Sequence, residues 1–289
     1  IRTAAIALAL STAACAAEPK PAVSPWTQSN PTWAEPFTPF RIAAGVYYVG
    51  TRGLSSFLIT TDEGHYLLDG GLPENAETIA SNIKALGFSP GDVKYLLNSH
   101  AHFDHSGGLA ALKRLTGATM IASDGDKGAL EAGLVPGSED DPRFAAPPVK
   151  VDRLIGDGES LVLGGIALTA RMTPGHTRGC TSWAMTTGGR DIIFFCSATV
   201  AGNRLVDPPQ YEGIVADYRA TFNRTHDWRP DIFLANHPEF FGMEERRARQ
   251  IAGDEDAFVD ALAFRILMEK LEDSFEKALV DQTAAISGE

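Results

Sequence analysis

The chain is short of positive charge, of cysteine and of linker-like sequence. Lysine and arginine total 25 against 37 aspartates and glutamates, a formal net charge of -12 over 289 residues. A nucleic-acid surface needs a basic track for phosphates. The one dense basic cluster, Arg246-Arg247-Ala248-Arg249, is balanced by Glu244, Glu245, Asp254, Glu255 and Asp256, so it reads as a solvated helix face and no nucleic-acid partner is expected. No Gly-x-Ser-x-Gly elbow and no Ser-x-x-Lys at a strand-to-helix junction is present, which leaves covalent serine catalysis unsupported. No Ser/Gly linker divides the middle of the chain, so residues 40–289 read as one domain.

Only the start differs in composition. Residues 1–17 are apolar and small, carry Arg2 and no acid, and read as a signal peptide lacking its initiating methionine. That stretch is too short to span a bilayer comfortably, so no stable membrane insertion is expected after its removal. A periplasmic or secreted location follows. Cys15 raises a lipoprotein alternative, but no leucine stands three residues before it, and Ala14-Cys15-Ala16 fits ordinary cleavage at least as well. Residues 18–39 carry Pro19, Pro21, Pro25, Pro31, Pro36 and Pro39 and read as an extended arm on the domain surface.

Against this background residues 100–105, His-Ala-His-Phe-Asp-His, gather three imidazoles and a carboxylate within six positions. Buried, such side chains would be costly without a shared partner. The apolar run 93–99 before them reads as a strand and the run 106–112 after them as a helix start, which places the cluster on a strand-to-helix turn. Imidazoles with a carboxylate suit zinc, and three protein ligands leave one position open. A pair of metals needs six ligands. His176, in the turn Thr173-Pro174-Gly175-His176, and His237, in Ala235-Asn236-His237-Pro238, each follow a candidate strand and complete the set. His65, in a polar hairpin turn, and His226, before Arg229-Pro230, read as solvated or capping residues.

The His-x-His-x-Asp-His motif, Leu67-Leu68-Asp69-Gly70-Gly71, Pro174-Gly175-His176-Thr177 and Asn236-His237-Pro238 together resemble the metallo-β-lactamase superfamily, over most of residues 40–280. Gly53-Leu54-Ser55-Ser56-Phe57, Asn98-Ser99-His100, Gly179-Cys180-Thr181-Ser182-Trp183 and Phe240-Phe241 narrow the resemblance to the third subclass of class B β-lactamases. It implies an αββα sandwich of two mixed sheets with helices on the outer faces, and two zinc ions per chain. His100, His102 and His176 would hold the first, and Asp104, His105 and His237 the second.

The resemblance further implies hydrolysis of the β-lactam amide of penicillins, cephalosporins and carbapenems by a metal-bound hydroxide. In that scheme Asp104 orients or passes the proton. Ser197 and Thr199 contact the substrate carboxylate, Thr199 standing where serine is more usual. Asp69 resembles a carboxylate that orients a ligand imidazole through its other nitrogen, against a plain strand-end turn residue. The alternative is a dinuclear-zinc hydrolase of another ester, lactone or thioester. Superfamily members of that kind lean on an aspartate near residues 192–199, and no acidic residue stands there. A small-molecule substrate and a monomeric enzyme are expected.

The coarse order of elements is a strand hairpin over 46–68, a helix over 74–86, the motif strand and helix, and strands from 120 to 195 interrupted by a loop at 133–148. Helices over 216–225 and from 244 onward follow. The 133–148 loop exceeds common lengths and is a candidate flap. Strands around 183–185 and 192–194 read as a hairpin turning at Gly188-Gly189. Centred on Gly188, it sets Cys180 opposite Cys196, within disulfide reach. An oxidising compartment would favour that bond, and a sulfur so held cannot be a zinc thiolate.

Overall fold

Alternation along the strands decides the layers. In the strand Gly64–Leu68, Tyr66 and Leu68 join one apolar cluster while Leu67 joins another, so the strand is buried on both faces. The neighbouring strand Val93–Leu97 divides in the same way, Leu97 to the first cluster and Leu96 to the second. The computed structural model describes residues 23–287.

Seven strands form the first sheet in chain order: β1 (Phe40–Ala43), β2 (Val46–Tyr48), β3 (Phe57–Thr61), β4 (Gly64–Leu68), β5 (Val93–Leu97), β6 (Thr119–Ala122) and β7 (Arg153–Leu154). Pairing is antiparallel from β1 to β4 and parallel from β4 to β7. The second sheet has the order β12-β11-β10-β9-β8, made of β8 (Ser160–Leu163), β9 (Ile166–Met172), β10 (Thr181–Thr187), β11 (Arg190–Phe195) and β12 (Ile232–Ala235). Only β11 and β12 pair in parallel.

Helices cover both outer faces. Ile79 and Ile83 of α2 (Asn75–Ala85) and Leu109 and Leu112 of α4 (Leu109–Thr116) pack on the first sheet. Tyr218 and Phe222 of α6 (Ile214–Thr225) and Phe264 and Phe275 of α7 (Ala263–Ser287) pack on the second. Between the sheets, Trp183 is wholly buried, and its indole N–H donates to Asn98 O at 3.2 Å. The expected αββα architecture of two mixed sheets is thus the one observed.

Several local expectations are corrected. The arm is not extended throughout: Trp26–Ser29 forms a helical turn, α1, and Pro31–Trp33 a 3-10 turn. The 120–195 stretch hides a helix, α5 (Asp124–Ala132), whose two glycines and four charges mask its single buried apolar residue, Leu130. The motif helix is split into α3 (Phe103–Ser106) and α4, so Asp104 and His105 stand on α3 and not in an open turn. His65 is buried within β4, edge-on to Phe88 at 5.1 Å, because the strand begins one residue before it. His226 is exposed beside Asp227, as expected. The signal-peptide reading of 1–17, Cys15 and residues 18–22 lie outside the described residues. Among the described residues, no helix is long and apolar enough to cross a membrane.

Cys180 and Cys196 form a disulfide with Cα atoms 5.9 Å apart, although the register that suggested it is one residue off. The hairpin pairs Thr187 with Arg190 and Trp183 with Phe194, so its centre lies between Gly188 and Gly189. The ladder stops at Trp183, and Cys196 N–H donates to Ser182 Oγ at 3.0 Å in place of a strand partner. Beyond that point the two chains no longer hold strict opposition, and the cysteines meet. Their sequence separation is 16. Closing a loop of that size contributes about 3 kcal/mol to stability. The Cys180→Ala/Cys196→Ala double variant should lose about that much in denaturant unfolding; an unchanged midpoint would contradict the estimate.

Candidate metal centre

Every candidate ligand lies just past the carboxyl end of a strand, at one edge of the sandwich. β5 leads to His100 and His102, α3 carries Asp104 and His105, β9 leads to His176, and β12 leads to His237. β11 leads to Ser197 and Thr199, and β4 to Asp69. The structure brings together all six residues singled out as ligands.

The rings of His100, His102 and His176 surround one point, with centroids 4.6–4.7 Å apart and planes 74–80° to one another. One nitrogen from each lies within 4.8 Å of the others. His100 Nε2 is buried without a hydrogen-bond partner. His176 Nδ1 donates to Thr199 O at 2.7 Å, which fixes the tautomer and leaves Nε2 as the lone-pair atom.

The second cluster is tighter. Asp104 Oδ2 lies 3.3 Å from His105 Nε2 and 3.4 Å from His237 Nε2, and the two imidazole nitrogens are 3.2 Å apart. Tetrahedral zinc with ligands at about 2.0–2.1 Å separates its donors by about 3.3 Å. The residues fit a metal ion. The clusters adjoin through His100 and His105, whose ring centroids are 4.6 Å apart. Cys196 Sγ lies 3.7 Å from His100 Nδ1, but the disulfide removes it as a thiolate ligand.

Electrostatics separate the two clusters. Burial, then the neighbouring imidazoles, holds His100 well below the ordinary histidine value. Burial likewise lowers His102, to about 4, and His176 well below its usual range. Burial alone would raise Asp104, but His105 and His237 outweigh it and hold the carboxyl well below the usual range. Burial opposes a proton on His105, yet the Asp104 carboxylate raises its pKa above 6.5. A proton on His105 must therefore leave before the second cluster can take a metal, while the first cluster is already neutral. As pH falls, zinc should therefore leave the second cluster first and the first only at lower pH. Metal content measured at stepwise lower pH checks this; simultaneous loss of both ions would contradict it.

Of the two readings of Asp69, its hydrogen bonds are those of a strand-end residue, while its charge bears on His105. Asp69 is buried with φ 63°, and its carboxylate accepts from Ser99 N–H at 2.7 Å and Asn98 Nδ2 at 3.3 Å. It braces the backbone entering the motif, and none of these bonds reaches a ligand imidazole. Burial pushes its pKa up to about 6. The ring-orienting part falls to the Thr199 carbonyl, itself held by Tyr218 OH at 2.7 Å. Ser197 Oγ lies 3.1 Å from Thr199 Oγ1, and both side chains line the cavity over the metal clusters.

That cavity measures about 440 Å³, and its walls include residues the sequence did not mark. Trp26 stacks on Phe103 at 5.3 Å and leans on Phe144 at 5.3 Å, and Trp33 lies 5.7 Å from the His237 ring. The 133–148 loop supplies Val135, Ser138 and Phe144 to the wall. It is tied down: Trp26 Nε1 donates to Arg143 O at 2.7 Å, Arg204 Nη2 to Gly137 O at 3.2 Å, and Gln210 Nε2 to Pro136 O. The arm and the candidate flap thus form one aromatic wall. Proline richness marked the arm as surface chain, and isolated tryptophans carry no periodic signal of a cavity.

Residues 49–240 match the family described as the metallo-beta-lactamase superfamily. A crystal structure of a subclass B3 metallo-beta-lactamase of Bradyrhizobium japonicum is 44% identical, with a TM-score of 0.86 over 89% of this chain and 99% of that one. The native metallo-beta-lactamase from Legionella gormanii is 36% identical, with a TM-score of 0.84 over 86% of this chain and 98% of that one. Among curated proteins, an N-acyl homoserine lactonase of Agrobacterium fabrum (strain C58 / ATCC 33970) is 30% identical over 166 residues, 43% of this chain and 56% of the relative. The chain spans about half the length of that relative, and 34% of a matching hydroxyacylglutathione hydrolase of Rhodospirillum rubrum.

Proposed function

Because the chain belongs to the metallo-β-lactamase superfamily, we propose that it is a zinc-dependent β-lactamase of subclass B3 type, opening the amide of penicillins, cephalosporins and carbapenems. The observation that carries this reading is the six-residue ligand set beneath an aromatic-walled cavity, in a chain 44% identical to a subclass B3 enzyme over 99% of that enzyme's length. The lactonase likeness extends over 43% of this chain, and residues 192–199 contain no acid. Both points favour the lactamase over the lactone or thioester hydrolase.

In this reading His100, His102 and His176 hold one zinc and Asp104, His105 and His237 a second. Zinc so placed supplies Lewis-acid chemistry and water whose pKa is lowered from about 16 to about 7. The protein's own groups do the rest. Asp104, kept ionised between two imidazoles as a ligand must be, can from that position orient or pass a proton. Ser197 and Thr199 offer two hydroxyls to a substrate carboxylate. Trp26, Trp33 and Phe103 bury the apolar part of the substrate and exclude water around the scissile bond.

Residues 40–289 form the catalytic domain in this account, with the arm as part of its cavity wall, working as a monomer on a small-molecule substrate. The disulfide supports a periplasmic or secreted enzyme. The test is hydrolysis of a carbapenem, a penicillin and a homoserine lactone by zinc-loaded protein. The reading expects turnover of both β-lactams, unaffected by clavulanate-type inhibitors that need a serine to acylate. Turnover of the lactone with neither β-lactam opened would sink it.

A further inference from the structure

One buried carboxylate belongs to neither metal cluster and yet touches both chain segments that make the first. Asp126 stands in the first turn of α5 and is 3% exposed. Its Oδ2 accepts from Ala101 N–H at 2.9 Å and from Thr177 Oγ1 at 3.0 Å, and its Oδ1 accepts from Gly179 N–H at 3.0 Å. Ala101 is the residue between His100 and His102, and Thr177 follows His176 directly. A single side chain therefore grips the His100/His102 segment on one side and the His176 loop on the other.

The surrounding backbone is built for this grip. A Cβ on Gly179 would meet Asp126 N at 2.3 Å, and one on Gly125 would meet Gly179 Cα at 2.8 Å. The His176 loop thus lies directly on the start of α5, with no space for a side chain between them. Ser123 Oγ adds a bond to Gly179 O at 2.6 Å. The second cluster lacks any such link to Asp126: Asp104 and His105 come from α3, and His237 from the end of β12.

We propose that Asp126 is a positioning residue that sets the metal affinity of the His100/His102/His176 cluster by holding its two ligand-bearing segments at a fixed separation. The inference rests on the reading of those three histidines as a metal centre. A carboxylate can accept on both oxygens at once, whereas an amide offers one acceptor oxygen and turns N–H donors toward the other partners. Asp126→Asn therefore keeps the size of the side chain but breaks at least one of the three bonds and sets an amide N–H against a backbone N–H of Ala101 or Gly179. Groups that orient ligands from outside the ligand set change metal affinity by about 10–100-fold.

The test is a zinc titration against a chromophoric chelator, made in a His237→Ala background so that the first cluster is read alone. Asp126→Asn should weaken that site by about 10–100-fold. In the otherwise wild-type chain, the second metal should keep its affinity. Thr177→Val, which deletes one of the three bonds, should weaken the first site in the same direction, and Thr177→Ser should restore it. If Asp126→Asn fails to fold, the Thr177 pair decides the matter by itself. First-site affinity unchanged in folded Asp126→Asn, or equal in Thr177→Val and Thr177→Ser, would overturn the proposal. So would equal loss at both sites, which is the mark of a general folding role. Absence of metal binding to the His237→Ala protein with Asp126 intact would instead defeat the reading of the histidines.

Discussion

His176→Ala should reduce β-lactam turnover by at least about a thousandfold, since charge stabilisation of several kcal/mol is lost with the first metal, at 1.36 kcal/mol per factor of ten. The remaining pair, His100 and His102, cannot complete a three-ligand site, and the Thr199 carbonyl loses the imidazole it orients. His237→Ala acts differently: it leaves Asp104 and His105 with an incomplete second cluster and the first cluster untouched. Elemental analysis should find each variant short of zinc, and X-ray absorption should show the three-histidine environment lost in the first and kept in the second. Equal loss from both sites in His237→Ala would show that the division of ligands is wrong.

Trp183→Ala should cost about 4 kcal/mol of stability, the middle of the range for removing a buried tryptophan. Trp183 is fully buried between the sheets, so little solvent can fill the space it vacates. Its indole also holds Asn98 O, two residues before the first ligand. A loss of that size is a large fraction of the 5–15 kcal/mol typical of whole domains. Denaturant unfolding of zinc-free protein measures it without the added stability that bound metal confers. A loss below about 1 kcal/mol, the scale of a single conservative core change, would mean the sheets do not depend on this side chain.

The candidate metal cluster was legible because its chemistry is concentrated. Four ligand-type residues within six positions have no ordinary structural use, and His176 and His237 each follow an apolar run that ends in a turn. Features that depend on one-residue accuracy were not legible. Centring the hairpin on Gly188 set Cys180 opposite Cys196, whereas the observed ladder is offset by one and the bond forms beyond its end. Helix α5 escaped notice because Asp124, Asp126, Lys127 and two glycines dominate its composition, and its one buried apolar residue gives no period. Asp126 was missed with it, since a carboxylate that grips backbone N–H groups from two distant loops leaves no local pattern. Trp26 and Trp33 were missed for the related reason that their partners, Phe103, Phe144 and His237, are far away in sequence.

Asp69 and Thr199 illustrate a division of labour that residue type alone does not reveal. A carboxylate at a strand end suggested a partner for a ligand ring, but the left-handed backbone at Asp69 turns its side chain to Ser99 N–H and Asn98. The ring of His176 is oriented by a main-chain carbonyl, which any residue at position 199 can supply. Substituting the Thr199 side chain therefore separates its hydroxyl from its carbonyl.

The most direct measurement of the central claim is zinc added stepwise to metal-free protein, with bound metal and the rate of carbapenem opening read on the same sample. The account predicts no turnover without metal, uptake of two ions per chain, and full loss of activity when a chelator takes them back. Metal-free protein that opens the carbapenem as fast as the loaded enzyme, or fully loaded protein that leaves every β-lactam intact, would contradict it.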